Sequence, residues 1–363
     1  MNKYYFIDNE RKDLIQPIID ELSSTNTITV EFVEIAKFEE LLKKLKNVDF
    51  DGIIIDYRLD DKNEQDISFK APAIAQELRD RVAVAIQEQS AMADFPMILC
   101  STDAKIKSLK RDTTSLDLFD YRFNKENYEK DDVIKKLDSL ANGYKTIDSV
   151  LKDGTNNISD IIQRDINGID DKIFARFYGN DLYPSHELAR HILQFLIGQT
   201  GCLIDEDILA ARLGIDKESS DLGEVLEAFN QTKYNGVFSE FETRWWSDLV
   251  AEKFEEITLE SIVSINAEQK VKLLISKNIN GLTAAKPLQY CQSSYFWTIC
   301  QAKMKPLDPL DGFMLNSEVE LLSWHEPKYI SLIALLEEED KQKNLKLHPS
   351  EIERSKLEKQ EYK

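Results

Sequence analysis

The chain has 363 residues, and its 66 acidic residues outnumber its 46 basic residues, which gives a formal net charge of −20 at pH 7. This acidity argues against a nucleic-acid-binding protein, because phosphate recognition needs a basic surface that releases counterions. The 42% hydrophobic and 31% charged content is typical of a globular protein rather than a disordered or fibrous one. At 41.9 kDa the chain exceeds what one hydrophobic core usually serves, so we expect two domains.

The sequence also indicates the cellular compartment of the protein. No apolar run reaches the roughly 18 residues that a membrane-spanning helix needs. The N-terminal stretch MNKYYFIDNE lacks the apolar core and small-residue cleavage site of a signal peptide. The cysteines are scattered without a CxxC pair, at Cys100, Cys202, Cys291 and Cys300. We therefore expect a cytoplasmic protein with reduced thiols and no membrane partner.

Residues 1–143 alternate short apolar runs with amphipathic stretches. The apolar runs predict strands at about residues 4–7, 28–33, 52–56, 96–100 and 116–123. Apolar residues at helical spacing predict helices at about residues 14–22, 38–45, 71–89 and 133–140. This alternation predicts an α/β fold, a flavodoxin-like, doubly wound, five-stranded parallel sheet.

Polar residues follow four of these strands where each one ends. They are Asp8, Asn9 and Glu10 after the first strand, Asp56 after the third, Ser101 after the fourth and Lys125 after the fifth. In such a sheet, the chemistry gathers beyond the carboxyl ends of the strands. Converging carboxylates with a lysine and a hydroxyl suit Mg²⁺. The same groups can make an aspartate a nucleophile toward a phosphoryl group, with the metal and the lysine stabilising its oxygens.

The set resembles the motifs of response-regulator receiver domains in two-component signalling. Asp8-Asn9 in FIDNE is similar to the acidic pair of the first strand, and Asp56 in DGIIIDYRL is similar to the phosphoacceptor. Ser101 in PMILCST and Lys125 in DYRFNKE resemble the family's hydroxyl and lysine. The resemblance covers about two-fifths of the chain, residues 1–143.

The resemblance implies that a partner histidine kinase or phosphotransfer protein donates a phosphoryl group to Asp56. The implied Mg²⁺ ligands are Asp8, Asp56 and either Asn9 or Glu10. Lys125 would pair with the phosphoryl group. Ser101 would hydrogen-bond the same group and rearrange, which would shift the face formed by the fourth and fifth strands between two populated conformations. No further catalytic residue is implied, and the chain is not expected to be an enzyme.

Several residues depart from the family's pattern. Asn9 replaces an aspartate ligand, Arg122 replaces an aromatic residue, and Glu126 replaces the proline after Lys125. The run after Asp56 lacks the usual Met-Pro and glycine, and the segment before the fourth strand is longer than typical. These departures leave open a pseudo-receiver that docks partners without phosphorylation. The joint presence of the four motif residues favours a phosphorylatable domain.

Residues 144–336 are predicted to form a mostly α-helical domain without an enzyme signature. Residues 337–363 are highly charged, which predicts a solvated helix or a tail. The tryptophans in Arg244-Trp245-Trp246 and Phe296-Trp297 are interpreted as core residues rather than as a stacking platform for a base.

Three motifs in the second half of the chain suggest specific functions. His186 in SHEL resembles the start of a histidine-kinase phosphoacceptor box, but the following proline is missing, so we interpret it as a helix-surface histidine. HELARH does not match a zinc protease motif, because the motif needs histidines four positions apart and position 190, four after His186, is an arginine. Residues 207–224 resemble a helix-turn-helix, which keeps a transcriptional regulator as an alternative; the acidic second segment favours a tight helical corner with Gly214 as its cap.

The function expected from the sequence is a response regulator whose second domain exchanges a partner. That partner would be a second regulator, an effector or another copy of the chain. A second form of this hypothesis is a phosphate sink that drains a kinase. The layout, a receiver joined to a helical domain, is similar to regulators of bacterial antiphage two-component systems of the Detocs kind.

Overall fold

The computed structural model describes residues 1–46, 49–60, 69–88, 93–102, 117–152, 157–178, 183–317, 320–338, 348–350 and 353. The chain divides into two compact units. The first comprises Met1–Phe195 with Asn235–Phe241, and the second Leu196–Tyr234 with Glu242–Lys363. Within the described ranges, no helix combines the length and the apolar character needed to cross a membrane.

The first unit is built on a five-stranded parallel sheet. Its strands are β1 Asn2–Asp8, β2 Ile28–Glu34, β3 Gly52–Asp56, β4 Met97–Ser101 and β5 Tyr121–Asn124. They lie in the order β2-β1-β3-β4-β5, and every neighbouring pair is parallel. This is the flavodoxin-like order, so the predicted fold class is confirmed. The continuous apolar runs of β3 and β4 arise because both strands are buried throughout.

The described part of the first unit also contains α-helices. They are α1 Lys12–Leu22, α2 Phe38–Lys46, α3 Ala71–Gln87, α4 Lys130–Lys152, α5 Ile158–Ile162 and α6 Ser185–His191, which a π-helix follows at Ile192–Ile197. The core residues Leu41, Leu42, Ile74 and Leu78 pack against the apolar side chains of β1, β3 and β4. The helical spacing of these residues thus places α2 and α3 on the sheet.

The predicted boundary near residue 143 falls inside α4, and the structure divides the chain elsewhere. Leu137, Leu140, Tyr144 and Ile147 are all buried and continue one helical stripe through that position. Gly143 is not a linker glycine, because a Cβ added there would lie 2.2 Å from the ring of Phe238. The apolar pattern therefore carries the first unit past the expected end of the receiver domain.

A buried polar network joins α3, α4 and α6 to the sheet. Arg79 donates to Asp94 and Asp120, both at 2.8 Å, and Tyr144 donates to Asp120 at 2.7 Å. The backbone N–H and ring Nδ1 of His186 lie 2.6 and 2.8 Å from Asp94 Oδ2. The prediction that His186 lies on a helix surface is wrong: it is buried, because Asp94 gives it a partner.

The second unit contains the helices that were expected and short strands that were not predicted. Its helices are α7 Glu206–Arg212, α8 Gly223–Ala228, α9 Ser247–Thr258, α10 Ala267–Ser276 and α11 Leu332–Leu336. Its strands are β6 Leu203–Ile204, β7 Trp245–Trp246, β8 Thr298–Cys300, β9 Lys305–Leu307, β10 Gly312–Met314 and β11 Tyr329–Ser331. They form a two-stranded sheet, β6-β7, and a four-stranded sheet, β10-β11-β8-β9. Strands of two or three residues are too short to show an alternating pattern.

The predicted helical corner is present at the end of α7. Gly214 has φ +74°, and the amides of Gly214 and Ile215 donate to Ala211 and Ala210 at 2.9 and 2.8 Å. Lys217, a basic residue of the suspected helix-turn-helix, is paired with Glu206 and with a second acid, Asp207. The corner interpretation is confirmed.

The core of the second unit encloses a charged cluster. Arg212 is buried, donates to both carboxylate oxygens of Glu326 at 2.8 and 2.6 Å, and lies 4.0 Å from the ring centroid of Trp297. Lys270 donates to the Arg212 carbonyl at 2.7 Å. Burial and then the Arg212 charge lower the pKa of Lys270 to about 8. Trp245 is also buried, which confirms the core interpretation for that residue.

Part of the predicted C-terminal tail is anchored to β10. The amide of Asn316 donates to the His348 carbonyl at 2.9 Å, and the amide of Ser350 donates to the Met314 carbonyl at 2.8 Å. Glu353 is buried as well. The remaining tail residues, 339–347, 351–352 and 354–363, lie outside the described part of the chain. Ser350 and Glu353 are therefore buried rather than solvated, whereas His348 is exposed.

Candidate functional site

Two buried carboxylates stand at the carboxyl edge of the first unit's sheet. β1 and β3 are neighbours in register, with Ile7 opposite Ile55, so the strands end side by side at Asp8 and Asp56. Both side chains are fully buried. Parallel pairing thus brings together the two acids that the sequence separates by 48 positions.

Lys125 bridges the two carboxylates. It follows β5 directly, and its side chain is only 7% exposed. Its Nζ bonds Asp8 Oδ2 and lies 3.2 Å from Asp56 Oδ1. The backbone amide of Lys125 donates to the Ser101 carbonyl at 3.1 Å, which holds the residue against the end of β4. One ammonium group therefore faces two buried carboxylates.

Burial and charge act in opposite directions on this pair. Burial raises the pKa of Asp8, and the attraction of Lys125, which lowers it, does not cancel that increase. Burial also lowers the pKa of Lys125, but the charges of Asp8 and Asp56 outweigh it and raise the pKa overall. The lysine thus stays protonated, and the ionised form of Asp8 is disfavoured by its surroundings.

Backbone amides fix the orientation of each carboxylate. Asp8 Oδ1 accepts the N–H of Glu10 at 2.9 Å, and Asp56 Oδ2 accepts the N–H of Arg58 at 3.0 Å. Each side chain therefore stabilises the turn that follows its own strand by accepting a backbone hydrogen bond. Asn9 is half-buried, and the side chain of Glu10 is exposed, so Glu10 contributes its backbone amide rather than a carboxylate. Of the predicted metal ligands, the structure brings Asp8 and Asp56 together.

Ser101 ends β4 beside this group. Its neighbour Cys100 is opposite Asp56 in the sheet register, so Ser101 lies at the same carboxyl edge. The side chain is completely buried, and its Oγ has no hydrogen-bond partner among the residues that the structure describes. A buried hydroxyl without a partner costs about 1–3 kcal/mol, so an acceptor entering the site would be favoured.

The donor set fits Mg²⁺. Proteins bind this ion through one or two carboxylates and leave the remaining positions to water and substrate phosphate oxygens. Asp8 and Asp56 are two such carboxylates. In the described ranges, no three His, Cys, Asp or Glu side chains come together as a metal-binding group. A cation held by the pair would thus complete its ligands with water or with an incoming phosphoryl group.

Sequence reasoning missed an aromatic cluster that adjoins the site through β5. The rings of Tyr121 and Phe123 stack at 6.3 Å, and the ring of Phe241 meets Tyr121 edge-on at 5.6 Å. The signal for this cluster was the alternation of aromatic residues at positions 121 and 123, which places both on one face of a strand. Arg122, between them, is exposed.

Comparison with known proteins gives structural neighbours only. No protein-family model and no curated protein matches the sequence. The signal receiver domain of an HD domain-containing protein from Pseudomonas fluorescens Pf-5 is 12% identical, covers 41% of this chain and 92% of its own, and has a TM-score of 0.30. The receiver domain of the Francisella response regulator 1452 is 16% identical, with coverages of 39% and 98% and a TM-score of 0.29.

A third similar structure is the complex of the histidine kinase ThkA with the response regulator protein TrrA. The matched chain is 19% identical to this one, with 39% of this chain and 98% of that chain covered and a TM-score of 0.28. These similarities concern the N-terminal two-fifths or so of the sequence.

Proposed function

We propose that this chain is a two-component response regulator whose Asp56 accepts a phosphoryl group from a partner histidine kinase or phosphotransfer protein. The observation that carries the proposal is the convergence of two fully buried carboxylates, Asp8 and Asp56, on the single ammonium group of Lys125. A lysine ammonium is a compact point charge that does not fully compensate two buried carboxylates, and an incompletely compensated buried carboxylate destabilises the fold. Such an imbalance is typical of a site that takes up a cation and a reacting group.

The proposed transfer is a simple substitution at phosphorus. A carboxylate oxygen of Asp56 attacks the phosphorus of a phosphohistidine, and the phosphorus–nitrogen bond breaks. The bonding electron pair returns to the imidazole nitrogen, which is protonated, and Asp56 becomes an acyl phosphate. Mg²⁺ held by Asp8 and Asp56 would neutralise negative charge on the phosphoryl oxygens.

Two residues of the chain would then respond to the new group. The Lys125 ammonium already faces Asp56 at 3.2 Å, so it pairs with the phosphoryl oxygens, and the Ser101 hydroxyl donates to one of them. These residues end β5 and β4, so their rearrangement shifts both strands. The output is a change of protein partner, whether an effector, a second regulator or another copy of the chain. In a phosphate-sink form, as in an antiphage system of the Detocs kind, the transfer itself is the output.

Intact-mass measurement after treatment with acetyl phosphate and Mg²⁺ tests this function. One phosphoryl adduct is expected on the wild-type chain and none on Asp56→Asn. Asp60→Asn is the matched control, because Asp60 is an exposed aspartate four positions away and should leave the adduct intact. A wild-type chain that takes no adduct would overturn the assignment, and an adduct on Asp56→Asn would move it to another residue.

A docking scaffold without phosphorylation is a second candidate function. It is favoured by the position of Lys125, whose ammonium already neutralises part of the carboxylate pair. This function predicts that Asp56→Asn binds the partner kinase with wild-type affinity and produces the wild-type phenotype. A change in either readout contradicts the scaffold.

A further inference from the structure

A short segment from the second half of the sequence belongs to the first unit. Residues Asn235–Phe241 are part of that unit, although Tyr234 and Glu242 on either side belong to the second. The base of this loop is closed where the Tyr234 amide donates to the Arg244 carbonyl at 2.9 Å. The segment is therefore a closed loop rather than a loose connection.

The segment packs on β5 through an aromatic contact. The ring of Phe241 stands at 88° to the ring of Tyr121, with 5.6 Å between the centroids. Tyr121 in turn stacks on Phe123, two residues before Lys125. Edge-to-face aromatic pairs of this kind contribute about 0.5–1.5 kcal/mol beyond the area that they bury.

The segment is also anchored to α4 and α5. Phe238 is buried, its ring lies 6.4 Å from that of Tyr144, and the absence of a side chain on Gly143 makes room for it. The Val237 amide donates to the Ile161 carbonyl at 2.9 Å. Phe238 has φ +63°, a conformation that a bulky residue keeps only where its surroundings hold it. The docked position is therefore specific.

The segment and the phosphoacceptor site contact opposite ends of one strand. β5 has four residues, Tyr121–Asn124, so it spans about 13 Å. Tyr121 at its beginning contacts Phe241, and Lys125 directly after its end contacts both carboxylates. β5 thus connects the two contacts, and it is hydrogen-bonded to β4.

We propose that Asn235–Phe241 is a latch that holds β5 in its unphosphorylated arrangement, and that phosphorylation of Asp56 loosens it. This inference rests on the proposed function. The structure combines a docked segment with Lys125 bonded to both carboxylates, so these two features belong to one state. A phosphoryl group draws Lys125 away from Asp8, and the strand attached to it moves. Because such coupling is reciprocal, the docked latch also weakens binding of a phosphoryl group.

The first test compares ligand affinity in full-length variants. Phe241→Ala removes the contact with Tyr121, and Phe241 is only partly buried, so the fold should survive. The affinity for beryllofluoride with Mg²⁺, followed by fluorine NMR, should rise about 5-fold or more. Phe50→Ala is the matched control, because Phe50 is a half-buried phenylalanine that contacts Tyr5 and Phe95 in the same unit. Its affinity should equal that of the wild type.

The second test uses the unmodified chain, so it does not depend on any variant folding. The Val237 amide is a direct reporter, because its hydrogen bond to Ile161 exists only while the segment is docked. Hydrogen exchange at Val237 should become faster when beryllofluoride and Mg²⁺ are added. Unchanged or slower exchange with the ligand bound would overturn the latch.

The outcomes separate the latch from the proposed function. Beryllofluoride binding with equal affinity in wild type and Phe241→Ala, or without effect on Val237 exchange, overturns the latch and leaves the response regulator standing. If neither chain binds the ligand or forms an adduct with acetyl phosphate, both proposals fail. Binding only after the substitution supports the latch in its strongest form.

Discussion

At the scale of single residues, the first unit contains two kinds of buried charge. Asp8 belongs to a group in which two carboxylates share one lysine. Arg79 also bonds two buried carboxylates, but its guanidinium gives each of them a separate N–H donor, and a tyrosine lies against it. Burial lowers the pKa of Arg79, but Tyr144, Asp120 and Asp94 outweigh it and raise that pKa overall, whereas burial raises the pKa of Asp8. The surroundings therefore stabilise the ionised forms of Arg79 and Asp94, whereas those of Asp8 disfavour its ionised form.

Asp8→Asn is predicted to stabilise the protein at pH 7 by about 1 kcal/mol, because Lys125 then faces one buried carboxylate instead of two. The pKa of Asp8 is raised above its ordinary 3.8, so folding favours the protonated form. The stability that Asp8 contributes to the folded state is complete below pH 3.8 and is lost as the pH rises through its raised pKa. The gain from the substitution should therefore be large at pH 7 and should shrink toward pH 4. Thermal unfolding at both pH values measures it, and a gain that grows toward acid would contradict the prediction.

Arg79→Met should lower the free energy of unfolding by about 3–5 kcal/mol, because it leaves Asp94 and Asp120 buried without their cation. Arg81→Met is the control on the same helix. Arg81 pairs with Glu77 near the surface, and such a pair contributes about 0–1 kcal/mol. Urea unfolding of both variants gives the comparison, and similar losses would contradict the role of the network.

The residues of the site were largely predictable, and those of the network were not. Each residue of the site follows an apolar run, and the end of such a run predicts where a strand ends. These residues are Asp8, Asp56, Ser101 and Lys125. The partners Arg79 and Asp120 are 41 positions apart, and His186 is 92 positions from Asp94. No local pattern connects such residues, so the burial of His186 became visible only with the fold.

At the scale of secondary structure, long periodic segments were predictable and short ones were not. The spacing of buried apolar residues places α1, α2 and α3 within a few positions of their predicted ranges. Asn142-Gly143 suggested a boundary because glycine and asparagine end many helices. In α4 the glycine instead admits the ring of Phe238, a contact between distant parts of the chain. Packing thus overrides a local stop signal there.

Gly214→Ala is predicted to destabilise the second unit by about 1–3 kcal/mol. Gly214 has φ +74°, and a Cβ at this position would lie 2.5 Å from the backbone of Ala267. Gly168→Ala is the control, because the added Cβ would meet the flexible end of Arg164 at 3.2 Å. Chemical unfolding of both variants tests the prediction, and equal stability would contradict it.

At the scale of the whole molecule, the net charge of −20 predicts weak attraction to nucleic acid. Even Lys217, in the suspected helix-turn-helix, is paired with acids. Fluorescence anisotropy with a DNA duplex at moderate salt should therefore show no binding. An affinity that falls steeply with rising salt would instead restore the transcriptional alternative.

The continuity of α4 has a consequence for exchanging parts between proteins. The helix starts five residues after Lys125 and rises for about 34 Å without a break, as expected for 23 residues. A graft that ended at residue 143 would sever this rod in its middle and discard Tyr144, whose hydroxyl bonds Asp120. The piece to transfer is instead the whole first unit, which comprises Met1–Phe195 together with the segment Asn235–Phe241. The boundary suggested by Asn142-Gly143 therefore cuts a helix that lies wholly within the first unit.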